Sequence, residues 1–259
     1  MKKVFVFSDV HSFYDELMKA LDDAGFDITN KDHVIISCGD MCDRGNKPRE
    51  VLEFINSLPE ERKVCIIGNH EWMLDELVDR GYAEWHDKHN RTDETIRILT
   101  GCYAPFSKAV SRMRNNSYWK EYKKSWRFYF ELEDKIFVHG WLPIRDKIFG
   151  EPEIDPDWRE ASQSEMKEAT WINGMEAWSN GLRLEGKTVF CGHIHTSWGH
   201  ARLHNNGVEY PDESKGLYGC FDAFIDEGIV ALDACTAYSG KVNVYCFETE
   251  DEIWNKSIS

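Results

Sequence analysis

The chain has 259 residues and a formal net charge of −15 at pH 7. Hydrophobic residues make up 42% of it, which is enough apolar material for a sizeable core and argues against disorder. The negative charge argues against binding of a nucleic-acid duplex, because such affinity comes from Lys and Arg side chains that neutralise phosphates. A phosphorylated substrate stays possible, since bound dications can reverse the sign of a local field.

Membrane attachment and disulfide bonds are not indicated. No apolar run approaches the ~18 residues that a bilayer-spanning helix needs. The apolar stretch near the N-terminus is interrupted at Asp9 and His11, so it does not continue as a signal peptide would. The eight cysteines form no Cys-x-x-Cys pair, and those in apolar runs are expected to be reduced core residues. We therefore expect a cytoplasmic protein without membrane contact.

Short apolar runs rich in Val, Ile and Phe recur along the chain, and each one leads into a polar cluster. Between the first three runs lie amphipathic helical patterns, at residues 14–24 and 48–58. This alternation predicts an α/β fold whose sheet begins with parallel strands. Ligands of such sheets bind outside the carboxyl ends of the strands, where these polar clusters lie. The runs cover residues 4–7, 34–36, 64–67, 136–138 and 188–190.

Two polar, helix-prone and tryptophan-rich stretches interrupt this rhythm, at residues 80–130 and 145–182. We interpret them as helical insertions into a single domain spanning residues 1–259. Their tryptophans either line a substrate cleft or build local cores. Near the C-terminus, the apolar stretches 229–232 and 242–247 are predicted to pair as a hairpin, with its turn near Ser239 and Gly240.

The polar clusters at the predicted strand ends combine carboxylates, a carboxamide and imidazoles. Buried polar groups destabilise a fold unless they find partners, and a pair of metal ions would supply such partners. Oxygen and imidazole donors without thiolate suit divalent manganese, iron, zinc, cobalt or nickel. The five motifs, in chain order, are Asp9-Val-His11, Gly39-Asp40-x-x-Asp43-Arg44-Gly45, Gly68-Asn69-His70-Glu71, Val138-His139-Gly140 and Gly192-His193-x-His195.

Together these motifs resemble the signature blocks of the calcineurin-like metallophosphoesterases. The second and third blocks are similar to the branch that holds Ser/Thr protein phosphatases, lambda-phage phosphatase and bacterial diadenosine tetraphosphatase. The blocks span residues 9–195, and the tail at 232–241 resembles that branch's final strands. The resemblance implies two packed mixed β-sheets flanked by helices, a four-layer αββα sandwich.

The resemblance also implies a role for each motif residue. Two divalent metal ions, with Mn²⁺ the first expectation, would be held by side chains from all five motifs. His70 would be the proton donor, held by Asp43, and Arg44 would bind phosphoryl oxygens, with Asn69 and His195 also facing the substrate. Asp9 and His11 would bind the first ion, and Asp40 would bridge both ions. The second ion would also be bound by Asn69, His139 and His193. His195 would approach the first ion or the substrate.

Elementary chemistry supports these roles. A carboxylate that bridges two cations about 3.5–4 Å apart suits an in-line displacement, in which an acidified water is the nucleophile. A guanidinium such as that of Arg44 matches phosphoryl oxygens with two parallel donors. An imidazole beside a carboxylate, as expected for His70 and Asp43, stays charged near neutral pH and can protonate a leaving alkoxide.

Some positions depart from the family pattern. Trp141 follows His139 and Gly140 where a second glycine is common, and it either narrows the site or is a buried aromatic residue. The phosphoprotein phosphatases use a second phosphate-binding arginine, and no flanking motif selects one here. The candidates for that arginine are Arg145, Arg159 and Arg183.

The predicted function is hydrolysis of phosphate monoesters, in the manner of a Ser/Thr phosphatase. An alternative on the same metal centre is hydrolysis of a dinucleoside polyphosphate such as diadenosine tetraphosphate, or of a nucleotide, with tryptophans stacking on the base. A non-enzymatic alternative is a scaffold that keeps the fold for protein binding. Such a scaffold should have lost ligands, whereas every motif is intact here.

Overall fold

The computed structural model describes residues 1–145 and 151–258. Residues 146–150 belong to the predicted insertion at 145–182, so that part of the prediction lies outside the described residues. The strands are β1 Lys2–Phe7, β2 His33–Ser37, β3 Lys63–Ile66, β4 Trp126–Arg127, β5 Phe130–Leu132, β6 Lys135–Phe137, β7 Ile144–Arg145, β8 Glu153–Ile154, β9 Thr188–Cys191, β10 Gly207–Asp212, β11 Leu217–Gly219, β12 Phe224–Asp226, β13 Ile229–Ala231 and β14 Val244–Thr249. The α-helices are α1 Tyr14–Asp23, α2 Pro48–Ser57, α3 Asn69–Arg80, α4 Trp85–His89, α5 Thr92–Thr100, α6 Phe106–Met113, α7 Ser117–Lys124, α8 Gln163–Ala169, α9 Gly174–Ser179, α10 Ser197–Arg202, α11 Thr236–Ser239 and α12 Asp251–Ile258.

Two five-stranded mixed sheets form the centre of the fold. The first has the order β14-β1-β2-β3-β4, and its strands β1 to β4 run parallel, which confirms the parallel start predicted from the sequence. The second has the order β12-β13-β9-β6-β5, with β13, β9 and β6 parallel to one another. Two small two-stranded ribbons, β7-β8 and β10-β11, complete the sheets of the described residues.

The alternation of side chains along the central strands explains the layers. In β1, Phe5 and Phe7 pack with helices α1 and α2, whereas Val4 and Val6 pack against the second sheet. The outer face of the second sheet in turn packs against residues of α8 and α9, such as Met166 and Trp178. Helices therefore cover both outer faces of the packed sheets, which confirms the predicted arrangement. No helix among the described residues is long and apolar enough to cross a membrane.

The predicted C-terminal hairpin is wrong. Strand β13 pairs with β9 and β12 in the second sheet, whereas β14 pairs antiparallel with β1 in the first. The chain crosses between the sheets through the short helix α11, which ends at Gly240 in a left-handed conformation. Two neighbouring apolar stretches with a turn between them pair only if no better partner exists, and here β1 offers β14 a full register of six residue pairs.

Candidate metal centre

The motif residues lie on loops that follow the carboxyl ends of central strands, and several of these loops have a strained backbone. Six motif residues other than glycine have a positive φ, between 50° and 73°. Residues other than glycine seldom adopt this conformation, and such strain concentrates at functional sites. The six residues are Asp9, His11, Asp40, Asp43, Arg44 and His193.

Two glycines allow neighbouring loops to approach the carboxylates. A Cβ atom at Gly68 would overlap the carboxylate of Asp40, and one at Gly192 would overlap that of Asp9. The motif glycines are therefore required by close packing of the loops around these two carboxylates. A side chain at either position would displace a carboxylate oxygen that accepts a backbone hydrogen bond, from His70 N–H at Asp40 Oδ1 and from His193 N–H at Asp9 Oδ2.

Within residues 1–145 and 151–258, two groups of side chains could each hold a metal ion, and Asp40 belongs to both. The first group is His11, Asp40 and His70, and the second is Asp40, His139 and His193. His11 Nε2 lies 3.8 Å from both Asp9 Oδ1 and Asp40 Oδ2. His139 Nε2 lies 3.4 Å from Asp40 Oδ2. One carboxylate shared by two groups is the arrangement expected of a bridging ligand.

The carboxamide oxygen of Asn69 completes the second group. It lies 2.8 Å from His139 Nε2 and 3.0 Å from His193 Nδ1. All three side chains are thus directed at the same point, beside Asp40. The structure brings together the residues that the sequence assigned to the second ion.

Backbone carbonyls fix the orientation of two of the imidazoles. His139 Nδ1 donates to Cys38 O at 2.7 Å, and His11 Nδ1 donates to Cys42 O at 3.0 Å. With Nδ1 bonded to a carbonyl, Nε2 of each ring is directed at the centre, where its lone pair would be available to a metal ion once the ring is neutral. This outer hydrogen bond is typical of imidazoles that bind metal.

The buried carboxylates of Asp9 and Asp40 also favour binding of cations. Burial, and then the charge of Asp233, hold the pKa of Asp9 well above its usual range. For Asp40, burial opposes ionisation, but the positive charges of His139 and His70 outweigh it and hold its pKa well below its usual range. Buried carboxylates in such proximity are costly without a positive partner, which bound dications would provide. Asp233 carried no role in the sequence analysis, because it lies outside the five motifs.

The proposed proton donor and its neighbours form a buried chain. His70 Nδ1 donates to Asp43 Oδ2 at 2.8 Å, and Arg44 Nη2 lies 3.4 Å from His70 Nε2. Burial disfavours a charged His70, but the carboxylates of Asp40 and Asp43 outweigh it and raise the pKa of the imidazole. The other ring nitrogen, His70 Nε2, faces Arg44 and lies 3.8 Å from Asp40 Oδ2, so the residue that the sequence assigned to proton donation also belongs to the first group of possible ligands.

Glu71 is a further residue of the third motif, to which no role was assigned. Its carboxylate accepts hydrogen bonds from the backbone N–H groups of Asp40 and Met41 at 2.9 Å and of Gly68 at 2.8 Å. Burial and the charge of Asp40 raise the pKa of Glu71 to about 7. Glu71 thus ties the loop that carries Asp40 to the start of α3. The sequence signal that could have identified Glu71 is its position in the Gly-Asn-His-Glu motif.

His195 is placed beside the centre and belongs to neither group found in residues 1–145 and 151–258. Its Nδ1 is 2.7 Å from Ser197 Oγ, and the hydroxyl of Ser197 donates to Glu209 O. The ring of Tyr210, on β10, lies 5.8 Å from the His195 ring. The structure thus associates His195 with the β10-β11 ribbon and leaves its predicted metal or substrate role as a prediction.

The remaining candidates from the sequence contact other parts of the chain. Trp141 is buried and donates from Nε1 to Leu182 O, so it is a core residue of the second sheet's outer layer. The three candidate arginines have partners elsewhere: Arg145 pairs with Glu153, Arg159 pairs with Glu131, and Arg183 donates to Trp178 O.

Comparison with known proteins agrees with this geometry. The family model described as calcineurin-like phosphoesterase matches residues 2–197. The symmetrical bis(5'-nucleosyl)-tetraphosphatase of Psychromonas ingrahamii is 40% identical over 70 residues, which are 27% of this chain and 24% of that enzyme. The asymmetrical bis(5'-nucleosyl)-tetraphosphatase PrpE of Bacillus velezensis is 31% identical over 72 residues, covering 25% of this chain and 29% of that enzyme. The chain thus matches under a third of the length of these relatives.

Among solved structures, the cold-active protein-tyrosine phosphatase of a psychrophilic Shewanella species is similar in fold. The two chains superpose with a TM-score of 0.55 at 16% identity, covering 96% of this chain and 76% of the phosphatase. At this identity the likeness extends to the fold alone.

Proposed function

The chain belongs to the calcineurin-like phosphoesterase family, and on that premise we propose that it hydrolyses phosphate monoesters at two divalent metal ions, with Mn²⁺ the first candidate. The observation that carries the proposal is that Asp40 belongs to both groups of possible ligands. Asp9 and His11 would hold one ion with Asp40, while Asn69, His139 and His193 would hold the other. His195 is proposed to contact the first ion or the substrate.

The bound ions would supply charge neutralisation at the phosphoryl oxygens and an activated water. The protein side chains perform the other tasks. The guanidinium of Arg44, beside His70, would bind the phosphoryl oxygens with two parallel donors. His70 would give its Nε2 proton to the leaving oxygen, and Asp43 would hold the ring in position through Nδ1.

The experiment that tests this function compares metal content with activity. We expect the metal-free protein to be inactive, Mn²⁺ to restore turnover of p-nitrophenyl phosphate, and about two ions to bind per chain. Asp40→Asn should lose most of the activity and at least one ion, because the shared carboxylate loses its charge. Asp226→Asn is the matched control, since Asp226 is a surface residue paired with His204. Full activity with a single bound ion would contradict the two-metal proposal.

A second candidate is hydrolysis of a dinucleoside polyphosphate on the same centre. Both curated relatives described above are bis(5'-nucleosyl)-tetraphosphatases, although the matches cover only part of each. In this chain, Trp171 is 51% exposed, and its ring lies 5.7 Å from the His193 ring in an edge-on arrangement. An exposed indole next to a proposed ligand is suited to stack on a nucleobase.

A comparison of substrates separates the two candidates. The Mn²⁺-loaded protein is assayed with a phosphoserine peptide, diadenosine tetraphosphate, a nucleoside monophosphate and p-nitrophenyl phosphate. If the second candidate is right, Trp171→Ala raises KM for the dinucleotide by about tenfold and leaves p-nitrophenyl phosphate unchanged. Trp85→Ala is the control, because Trp85 is also exposed but stacks on His89. Equal KM values in Trp171→Ala and the parent protein would contradict base stacking at this residue.

A further inference from the structure

The carboxylate of Asp43 is fully buried and receives three hydrogen bonds. His70 Nδ1 and the hydroxyl of Thr92 both donate to Oδ2, at 2.8 Å and 2.6 Å. The hydroxyl of Thr95 donates to Oδ1 at 2.8 Å. Both threonines are themselves buried. Both oxygens of Asp43 are therefore held by α5, which lies within the segment 80–130 and outside the five motifs.

The start of α5 is built for this contact. Thr92 is the first residue of α5 and Thr95 lies three residues later, so their side chains share one face of the helix. The first turn of a helix also favours a negative charge beside it. The same junction holds the backbone of Arg44, whose N–H donates to Asn90 O at 3.0 Å and whose carbonyl accepts from Arg91 Nη1 at 2.7 Å.

An exposed aspartate could rotate about its side-chain torsion angles, and the imidazole that it holds would follow. Two hydroxyl donors on opposite oxygens remove that freedom at Asp43, since rotation would break both bonds. The two hydroxyls thereby keep the carboxylate aligned with His70 Nδ1. From this geometry we infer that Thr92 and Thr95 are positioning residues for proton donation by His70. The inference rests on the proposed function, in which His70 is the proton donor.

The test removes one hydroxyl at a time with almost no change in side-chain shape. Thr92→Val and Thr95→Val are made in the full chain and assayed with Mn²⁺ on an alkyl phosphate and on p-nitrophenyl phosphate. We expect kcat on the alkyl ester to fall about tenfold in each variant, because a hydrogen bond to a charged group is lost. The aryl ester should change by less than about threefold, since a nitrophenolate leaves without a proton. Metal content should not change.

Two sets of variants separate positioning from a general effect on folding. Thr92→Ser and Thr95→Ser retain the hydroxyl and should restore turnover of the alkyl ester. Thr100→Val is the matched control on α5, because the Thr100 hydroxyl donates to Ile96 O within the same helix. Equal losses on both esters, or Ser variants as slow as the Val variants, would contradict the inference.

His70→Asn, measured in parallel, distinguishes failure of the inference from failure of the proposed function. If His70→Asn slows the alkyl ester selectively and the Val variants do not, the proton donor stands and the role of α5 is wrong. If His70→Asn affects both esters equally, the assigned proton donor is wrong and the inference is overturned with it. Selective loss in both sets, with rescue by serine, supports both assignments.

Discussion

The two halves of the segment 80–130 differ in their contacts with the candidate metal centre. Helices α4 and α5 contact the loop that carries Asp43 and Arg44, through hydroxyl and carbonyl groups. Helices α6 and α7 pack in the core beside the first sheet, where Ile96 and Leu99 of α5 also lie. There Trp119 is buried, donates from Nε1 to Asp75 Oδ1, and packs edge-on against Trp126.

This difference shows which residues of the segment are expected to influence catalysis. The sequence suggests the tryptophans as residues that line a substrate cleft. In the structure, Trp119 is a core residue and Trp85 is a surface residue stacked on His89. The contacts with the proposed catalytic groups come from two threonines, whose short side chains fit beside a buried carboxylate. Helix α5 thus makes polar contacts with Asp43 through its threonines, whereas its Ile96 and Leu99 share the apolar core with α6 and α7.

The largest expected effect concerns His70, whose partner Asp43 is held by α5. His70→Asn should slow an alkyl phosphate about 10²–10⁴-fold while p-nitrophenyl phosphate changes far less, because only the alkoxide requires a proton. Asp43→Asn should show a weaker form of the same selectivity, since the carboxamide cannot accept from all three donors. Steady-state kinetics with metal analysis checks both, and loss of an ion in the His70 variant would instead make His70 a ligand.

An intermediate effect, on stability and not on catalysis, is expected for substitutions in α6 and α7. Trp119→Ala removes a buried aromatic side chain and should lower the free energy of unfolding by about 3–5 kcal/mol. The ratio of alkyl to aryl turnover should stay that of the parent protein, because Trp119 donates its hydrogen bond to Asp75 and packs against Trp126, whereas Asp43 is held by His70, Thr92 and Thr95. Thermal melting and kinetics measure the two properties, with Trp119→Phe as the variant that keeps the ring packing. A changed ratio would show that the two halves are not independent.

The smallest expected effect concerns the junction before α5. Arg91→Ala removes the hydrogen bond to Arg44 O, and KM for p-nitrophenyl phosphate should rise about two- to threefold with kcat little changed, because Arg91 is exposed and partly screened. Arg97→Ala, on the same helix but paired with Asp93, is the control. If both variants have the KM of the parent protein, the hydrogen bond from Arg91 does not position Arg44.

Much of the centre could be predicted because its residues occur in local motifs. The spacing of Asp9 and His11, or of Asn69 and His70, follows directly from a strand that ends in a polar loop. Asn69 and His70 begin helix α3, whereas Asp9 and His11 have a left-handed backbone that could not be predicted, since it depends on packing against neighbours such as Gly192. The role of Glu71 was also not predicted, because it acts on backbone groups and not on a side chain.

The sequence by itself predicted the strand ends, the residue types that follow them and the order of the motifs along the chain, because periodicity and motif spacing are local properties. Tertiary structure alone decided that β14 joins β1 in the first sheet and that Thr92 meets Asp43, 49 residues away. Those contacts depend on which surfaces remain free after the sheets and helices have packed. A pattern of neighbouring residues does not indicate which distant surface each element will contact, since many distant partners have the same hydrophobic or hydrogen-bonding character.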